Sequence, residues 1–198
     1  MFCTPVGMTS ILVVYGTTHG HTAKVAEAVA KTIEAGGASC DVMAAAAATR
    51  SPADYDGVVV AASVHAGQYQ KAVTDWVRAH RVALGGRPTA FISVCLGVLQ
   101  KDPKVDRDLQ GFLERFFSET GWHPHVTTIV AGALAYTKYN WFIRWMMKRI
   151  AAKAGGDTDT SRDYEYTDWG SLATFTVEFR QRVAACKAGI TPPAAVSG

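Results

Sequence analysis

Two kinds of hydrophobic pattern alternate along this chain. Short apolar runs, Ile11 to Tyr15 and Val58 to Ala62, contain mostly Val, Ile, Leu and Ala with no polar interruption, and Thr89 to Val94 is similar. Such runs suit strands that are covered on both faces, as in parallel sheets. Between and after them lie stretches with apolar residues at helical spacing. These are His21 to Ala35, Tyr69 to Leu84 with Ala72, Val73, Trp76 and Val77 on one face, Val105 to Thr120, and Asp168 to Ala185. Gly36-Gly37 stops the first helix, Gly85-Gly86-Arg87-Pro88 breaks the second, and Asp168 is placed to cap the last. Ser39 to Met43 reads as a second strand and Val126 to Ala131 as the fifth, while Ala44 to Ala48 reads equally as strand end or loop.

Strands that alternate with helices predict a parallel sheet with right-handed crossovers. Five strands and five helices predict an α/β fold, a three-layer doubly wound parallel five-stranded sheet in the order 2-1-3-4-5. The 198 residues suit one domain. We expect an N-terminal tail over 1–10, a single domain over 11–187 with an insert at about 136–160, and a C-terminal tail over 188–198. In such sheets ligands bind beyond the carboxyl ends of the strands, beside the first one. The loops after strands one, three and four therefore converge there, carrying Thr17 to Thr22, Ser63 to Tyr69 and Cys95 to Lys101.

The first of these loops, Gly16-Thr17-Thr18-His19-Gly20-His21-Thr22, leads from a strand straight into a helix. The leading N–H groups of a helix lack intrahelical acceptors, and the helix dipole adds partial positive charge at the same place, so the loop is an anion site. Thr17, Thr18 and Thr22 add hydroxyl donors, and Gly20 lets the backbone approach the ligand. No Lys follows Gly20, which excludes a nucleoside-triphosphate P-loop, and Gly16 and Gly20 have the wrong spacing for a dinucleotide fingerprint. Hydroxyls without a nearby Lys or Arg suit a single terminal phosphate monoester, as on FMN. The other reading is a plain helix cap with no ligand.

A flavin also needs walls for its ring and polar groups near its redox nitrogens. Ser63, Val64, His65, Ala66 and Gly67 supply small residues for one wall, with Gly67 placed to offer a backbone group, and Val94, Cys95, Leu96 and Gly97 supply the other. His65 and Tyr69 are the candidates for proton transfer at the ring. Cys95 reads as a packing residue, and His19 and His21 have no third ligand nearby that would make a metal site.

Charge and cysteine content narrow the class further. The net charge of +3 and pI near 8.7 are mild and do not argue for nucleic acid. Cys3, Cys40, Cys95 and Cys186 are scattered and form no C-x-x-C pair, which suits a reduced, cytoplasmic setting. The first ten residues show no basic region followed by an apolar one, and no run reaches about eighteen apolar residues, so neither a secretory signal nor a membrane-spanning helix is expected.

Taken together, these segments resemble the flavodoxin-like superfamily, whose phosphate loop [ST]-x-T-G-x-T aligns on Thr17 to Thr22 with His19 where a Thr is usual. Within it the chain is similar to the bacterial menaquinone-dependent protoporphyrinogen IX dehydrogenases. That closer resemblance runs through Gly57 to Ser63 with Gly67-Gln68-Tyr69, Ala90 to Val94, and Val130 to Tyr136. It is strongest in Gly155-Gly156-Asp157-Thr158-Asp159-Thr160 and Tyr166-Thr167-Asp168-Trp169. The resemblance implies non-covalent FMN, oxidation of protoporphyrinogen IX or a related tetrapyrrole, and transfer of electrons to menaquinone or ubiquinone in a membrane.

The insert after strand five sets this chain apart from a minimal carrier. Tyr136 to Lys153 holds five basic residues, five aromatic ones and no acidic residue. A helical reading places Trp141 and Trp145 with Lys148 on one face, and Phe142 and Met146 with Arg149 on the next. Tyr136, Tyr139, Trp141, Arg144, Trp145, Lys148 and Arg149 are thus candidates for a tetrapyrrole with its propionates, or for peripheral contact with the inner face of the cell membrane. Some of these aromatics read equally as core caps. A flavodoxin-type electron carrier, an NAD(P)H-dependent quinone reductase and a non-enzymatic FMN-binding regulator are the competing functions. The basic balance counts against the carrier.

Overall fold

The computed structural model describes residues 7–99, 102–134 and 159–190. In chain order its elements are β1 (Ser10–Gly16), α1 (His21–Ala35), β2 (Ser39–Ala44), β3 (Gly57–Ser63), α2 (Lys71–Gly85), β4 (Thr89–Val94), α3 (Pro103–Thr120), β5 (Val126–Val130), β6 (Ala133–Leu134), β7 (Tyr164–Glu165) and α4 (Trp169–Lys187). Strands β1 to β5 form one all-parallel sheet in the order β2-β1-β3-β4-β5, as the alternation predicts.

The central strands are apolar throughout because each face meets its own helix layer. Ile11 and Val13 of β1, Val59 and Ala61 of β3, and Ala90 and Ile92 of β4 pack with Val25, Val29 and Ile33 of α1 and with Leu172, Phe179 and Val183 of α4. Their neighbours in sequence, Leu12, Val14, Val58, Val60 and Phe91, turn to the other face and meet Val73, Trp76 and Val77 of α2 and Leu113 and Phe116 of α3. The period-two alternation of a strand survives inside each apolar run, divided between two cores.

Several boundaries differ from the sequence expectation. Among the described residues there are four α-helices, and the expected fifth, in the insert, falls outside them. The β2–β3 crossover consists of short 3-10 turns at Ala45–Ala47 and Pro52–Asp54, the second opened by Ser51, whose hydroxyl accepts from Ala53 N at 3.2 Å. Helix α2 starts at Lys71 rather than Tyr69, because residues 65–68 close a tight turn first. Helix α3 starts at Pro103, earlier than Val105, with the Asp102 side chain accepting from Lys104 N at 2.8 Å.

A second sheet was not expected at all. β6 and β7 pair antiparallel, Ala133 with Glu165 and Leu134 with Tyr164. They flank residues 135–158, so Tyr136, Tyr139, Trp141, Arg144, Trp145, Lys148 and Arg149 lie outside the described residues.

At the amino ends of the strands, Asp56 ties three elements together. Its carboxylate accepts from Ser10 N at 2.8 Å and Lys187 Nζ at 2.7 Å, joining β1, the turn before β3 and the end of α4. Burial pushes the carboxyl up, but the Lys187 ammonium and the Ser10 donors outweigh it and hold it below the ordinary aspartate value. A depressed carboxyl contributes stability above the unfolded-state value and loses it as the pH falls through the folded one. Asp56→Asn should therefore cost about 1–2 kcal/mol at neutral pH. In urea titrations at several pH values, the gap from the parent protein should close below about pH 4.

Candidate functional site

The carboxyl ends of β1, β3, β4 and β5 open onto one cavity of about 320 Å³, within the range of small-ligand sites. The β1–α1 loop contributes Thr17, His19, His21 and Thr22, and the end of β3 contributes Ser63, Val64 and His65. The end of β4 contributes Val94, Cys95, Leu96 and Gly97, and the residues after β5 contribute Gly132 and Ala133. Eleven of the residues singled out from the sequence thus meet around one space. The described lining carries no carboxylate, Lys or Arg, and its polar groups are hydroxyls and imidazoles.

One end of the cavity is the start of α1. Gly20, in left-handed conformation at φ 92°, turns the chain into the helix, and its N–H donates to Thr17 Oγ1 at 2.9 Å. The first helical bond is Lys24 N to Gly20 O, so the N–H groups of residues 21–23 precede the intrahelical ladder. No side chain caps this helix and no acidic residue stands in its first turn. Most helix ends are satisfied internally, whereas this one begins at the cavity without a cap, with the Thr22 side chain buried at the cavity wall. The donor set fits a phosphate monoester.

The other end is apolar, built from Val64, Val94 and Leu96 with small residues between them. Gly132 is closely packed, since a Cβ there would stand 3.3 Å from Val94 Cγ1. Burial pushes the Cys95 thiol up, partly opposed by the Gly97 N–H that it accepts at 3.3 Å, so it stays a neutral wall residue. His65 stands edge-on to His19 with ring centroids 5.5 Å apart, and its Nε2 lies 3.3 Å from Ser63 Oγ. Burial, then the neighbouring His19, hold His65 below the ordinary histidine value.

Five predicted residues stand elsewhere. Tyr69, a proton-transfer candidate, is not in the cavity lining. Its ring packs between Phe91 and Phe116, and its hydroxyl bonds Ser93 Oγ at 2.8 Å. Burial lifts it to about 12. Ala66 and Gly67, expected at the ring, occupy the two positive-φ positions of the turn closed by His65 N to Gln68 O at 2.8 Å, and Gly67 lies against Phe112. Thr18 and Gly20 shape the loop without lining the cavity. Conversely, Gly132 and Ala133 line it and were not singled out as site residues. Their only signal is small size at strand ends that the topology brings to the same edge.

His21 has a role that its motif position does not suggest. Thr167 donates its hydroxyl proton to Ala131 O at 2.6 Å, so the 2.7 Å contact to His21 Nε2 requires the imidazole to donate. That N–H is committed to the chain rather than to a ligand. His21 Nδ1 faces Glu165 at 3.6 Å, and Glu165 also receives Lys24 Nζ at 3.3 Å and Trp169 Nε1 at 3.0 Å. The start of α1 is thereby bound to β7.

Comparison with known proteins agrees with this geometry. The flavodoxin domain signature matches residues 12–161. The protoporphyrinogen IX dehydrogenase [quinone] of Escherichia coli K12 is 34% identical over 169 residues, 84% of this chain and 92% of that protein. The enzyme of the same description from Leishmania major is 31% identical over 170 residues, 85% of this chain and 73% of that one. Among solved structures, an archaeal flavodoxin aligns with a TM-score of 0.54 at 13% identity, covering 89% of this chain and 99% of its own. Oxidised flavodoxin 1 of Bacillus cereus aligns at 0.52 and 15%, covering 87% and 98%. These two show the fold alone. The chain belongs to the flavodoxin-domain family, in the group of the protoporphyrinogen IX dehydrogenases, and is an enzyme of the oxidoreductase class.

Burial holds His21 below the ordinary histidine value, against the raising influence of Glu165 and with that of Lys24. A histidine held neutral by the fold binds its proton more readily when unfolded, so stability falls as the pH drops below about 6.5. His65 and His125 are depressed too and act in the same direction. In urea titrations His21→Asn should cost about 1–3 kcal/mol near pH 7.5 and less near pH 5.5, part of the acid dependence having been removed.

Proposed function

We propose that this protein binds FMN in the cavity and oxidises protoporphyrinogen IX, or a closely related tetrapyrrole, with a membrane quinone as electron acceptor. The observation that carries the cofactor assignment is the uncapped start of α1 opening into a slot of small and apolar residues, a match to a phosphate monoester joined to a flat ring. The substrate assignment follows from similarity to relatives described by that activity, extending over most of both chains.

In this reading the N–H groups at the start of α1, with Thr17 and Thr22, hold the phosphate. Val64, Val94, Cys95, Leu96 and Gly132 form the walls beside the ring. When bound, FMN supplies the two-electron chemistry, accepting a hydride equivalent from the porphyrinogen and passing both electrons to a quinone, which takes up two protons to become a quinol. The proton that leaves the substrate with each hydride goes to His65 Nε2, next to the Ser63 hydroxyl on the cavity wall. A histidine held below its ordinary value is neutral at pH 7 and able to accept it. In this reading the insert, with Tyr136, Tyr139, Trp141, Arg144, Trp145, Lys148 and Arg149, provides the substrate's carboxylate partners and a peripheral contact with an anionic membrane on the cytoplasmic side, and the reaction belongs to haem synthesis.

The test is anaerobic. The FMN-loaded protein is mixed with protoporphyrinogen IX while flavin absorption and porphyrin fluorescence are followed, and a menaquinone analogue is then added. Flavin bleaching, porphyrin formation and quinone-dependent turnover are expected. A flavin that stays oxidised under porphyrinogen but bleaches with NAD(P)H would overturn the substrate assignment. His65→Gln should lower kcat at least about 100-fold and remove the acid limb of the pH profile, which in the parent protein should lie below about pH 6.5. Vesicles containing anionic lipid should co-sediment the protein, and Arg144→Glu with Arg149→Glu should release it.

A further inference from the structure

Gln70 lies outside the cavity lining, yet its side chain touches two of the three loops that form it. Its backbone opens α2, with its carbonyl accepting from Val73 N at 2.9 Å. Residues at such a position usually turn the side chain onto the helix they start. Gln70 makes no such cap and points its amide back toward the site. Gly16 makes room for this, because a Cβ there would stand 3.0 Å from Gln70 Oε1 and 2.4 Å from Val73 Cγ2.

The orientation of the amide follows from its partners. Ser63 N can only donate, and it points at Gln70 Oε1 at 3.3 Å. The amide nitrogen therefore faces Ser63 Oγ at 2.6 Å and Thr18 Oγ1 at 3.3 Å, and both of its protons are used. A hydroxyl that accepts from an amide keeps its own proton for another acceptor. For Ser63 the next group is His65 Nε2, at 3.3 Å.

We propose that Gln70 is a positioning residue that sets the direction of hydrogen bonding in this site. It donates to Ser63 and Thr18, Ser63 donates onward to His65 Nε2, and Thr18 keeps its proton for a ligand oxygen in the β1–α1 loop. His65 is thereby held with its proton on Nδ1 and its Nε2 as an acceptor. That is the nitrogen that can take up a proton through the Ser63 hydroxyl. The effect on Thr18 rests on the FMN reading, whereas the effect on His65 does not.

Nitrogen-15 NMR of the ligand-free parent protein, with His65 assigned from His65→Gln, reads the tautomer directly. A proton on Nδ1 is expected, and a neutral ring protonated on Nε2, with Ser63 accepting twice, overturns the proposal. Gln70→Glu keeps the shape but only accepts, so both hydroxyls must turn to it and His65 should move to the Nε2-protonated form. An unchanged tautomer in the folded variant also overturns the proposal. Gln70→Met, neutral and unable to donate, should weaken FMN relative to riboflavin by up to about tenfold, while an unchanged ratio removes the Thr18 arm. If the parent protein bound no FMN, the cofactor assignment would fall, and the His65 tautomer would still decide the role of Gln70. If neither variant folded, as judged by circular dichroism, the parent spectrum would decide it alone.

Discussion

β1 is buried on both faces, and most of the architecture follows from that. A strand with Ile11 and Val13 in one core and Leu12 and Val14 in the other cannot lie at a sheet edge or face water. It needs a strand on each side and a helix layer above and below. Crossovers with a single hand then send the chain out from β1 in both directions, so that the sheet opens at its carboxyl edge beside β1. The site occupies that opening. Its location is a consequence of how the strands are covered, before any polar side chain is considered.

Within that opening the chain leaves one set of donors unpaired and commits the rest. The start of α1 has neither a side-chain cap nor a carboxylate in its first turn, an arrangement that leaves its first N–H groups open to an anion. The surrounding polar groups are held by partners just behind the wall. Thr167 and Glu165 hold His21, and Gln70 holds Ser63 and Thr18. The cavity therefore presents neutral groups of fixed direction, and the ligand's own charge meets backbone donors. Such a site favours a cofactor that carries its charge at one end and its chemistry at the other.

The β6–β7 pair links this site to the insert. Glu165 reaches Lys24 and His21 on α1 while its backbone pairs with Ala133 at the cavity rim. Both ends of the segment that distinguishes this chain from a minimal five-stranded domain are thus attached to the cofactor end of the sheet.

The apolar runs, their alternation with helical stretches and the hydroxyl-glycine loop after the first strand were enough to determine the sheet order and the edge at which the cavity opens. These are local signals: burial on two faces is written into consecutive residues, and a helix start into the few residues before it. The destinations of side chains were not legible in the same way. Tyr69 and His65 belong to one loop and read alike, yet a tight turn and the late start of α2 send one into an aromatic cluster and leave the other at the cavity. Gly132 and Ala133 carry no chemical signal and became site residues only because the sheet brought the end of β5 to the same edge. The direction of a hydrogen bond at His21 or Ser63 depends on partners 146 and 7 residues away. Only the folded chain decides it, because a polar group takes its role from whatever is packed against it.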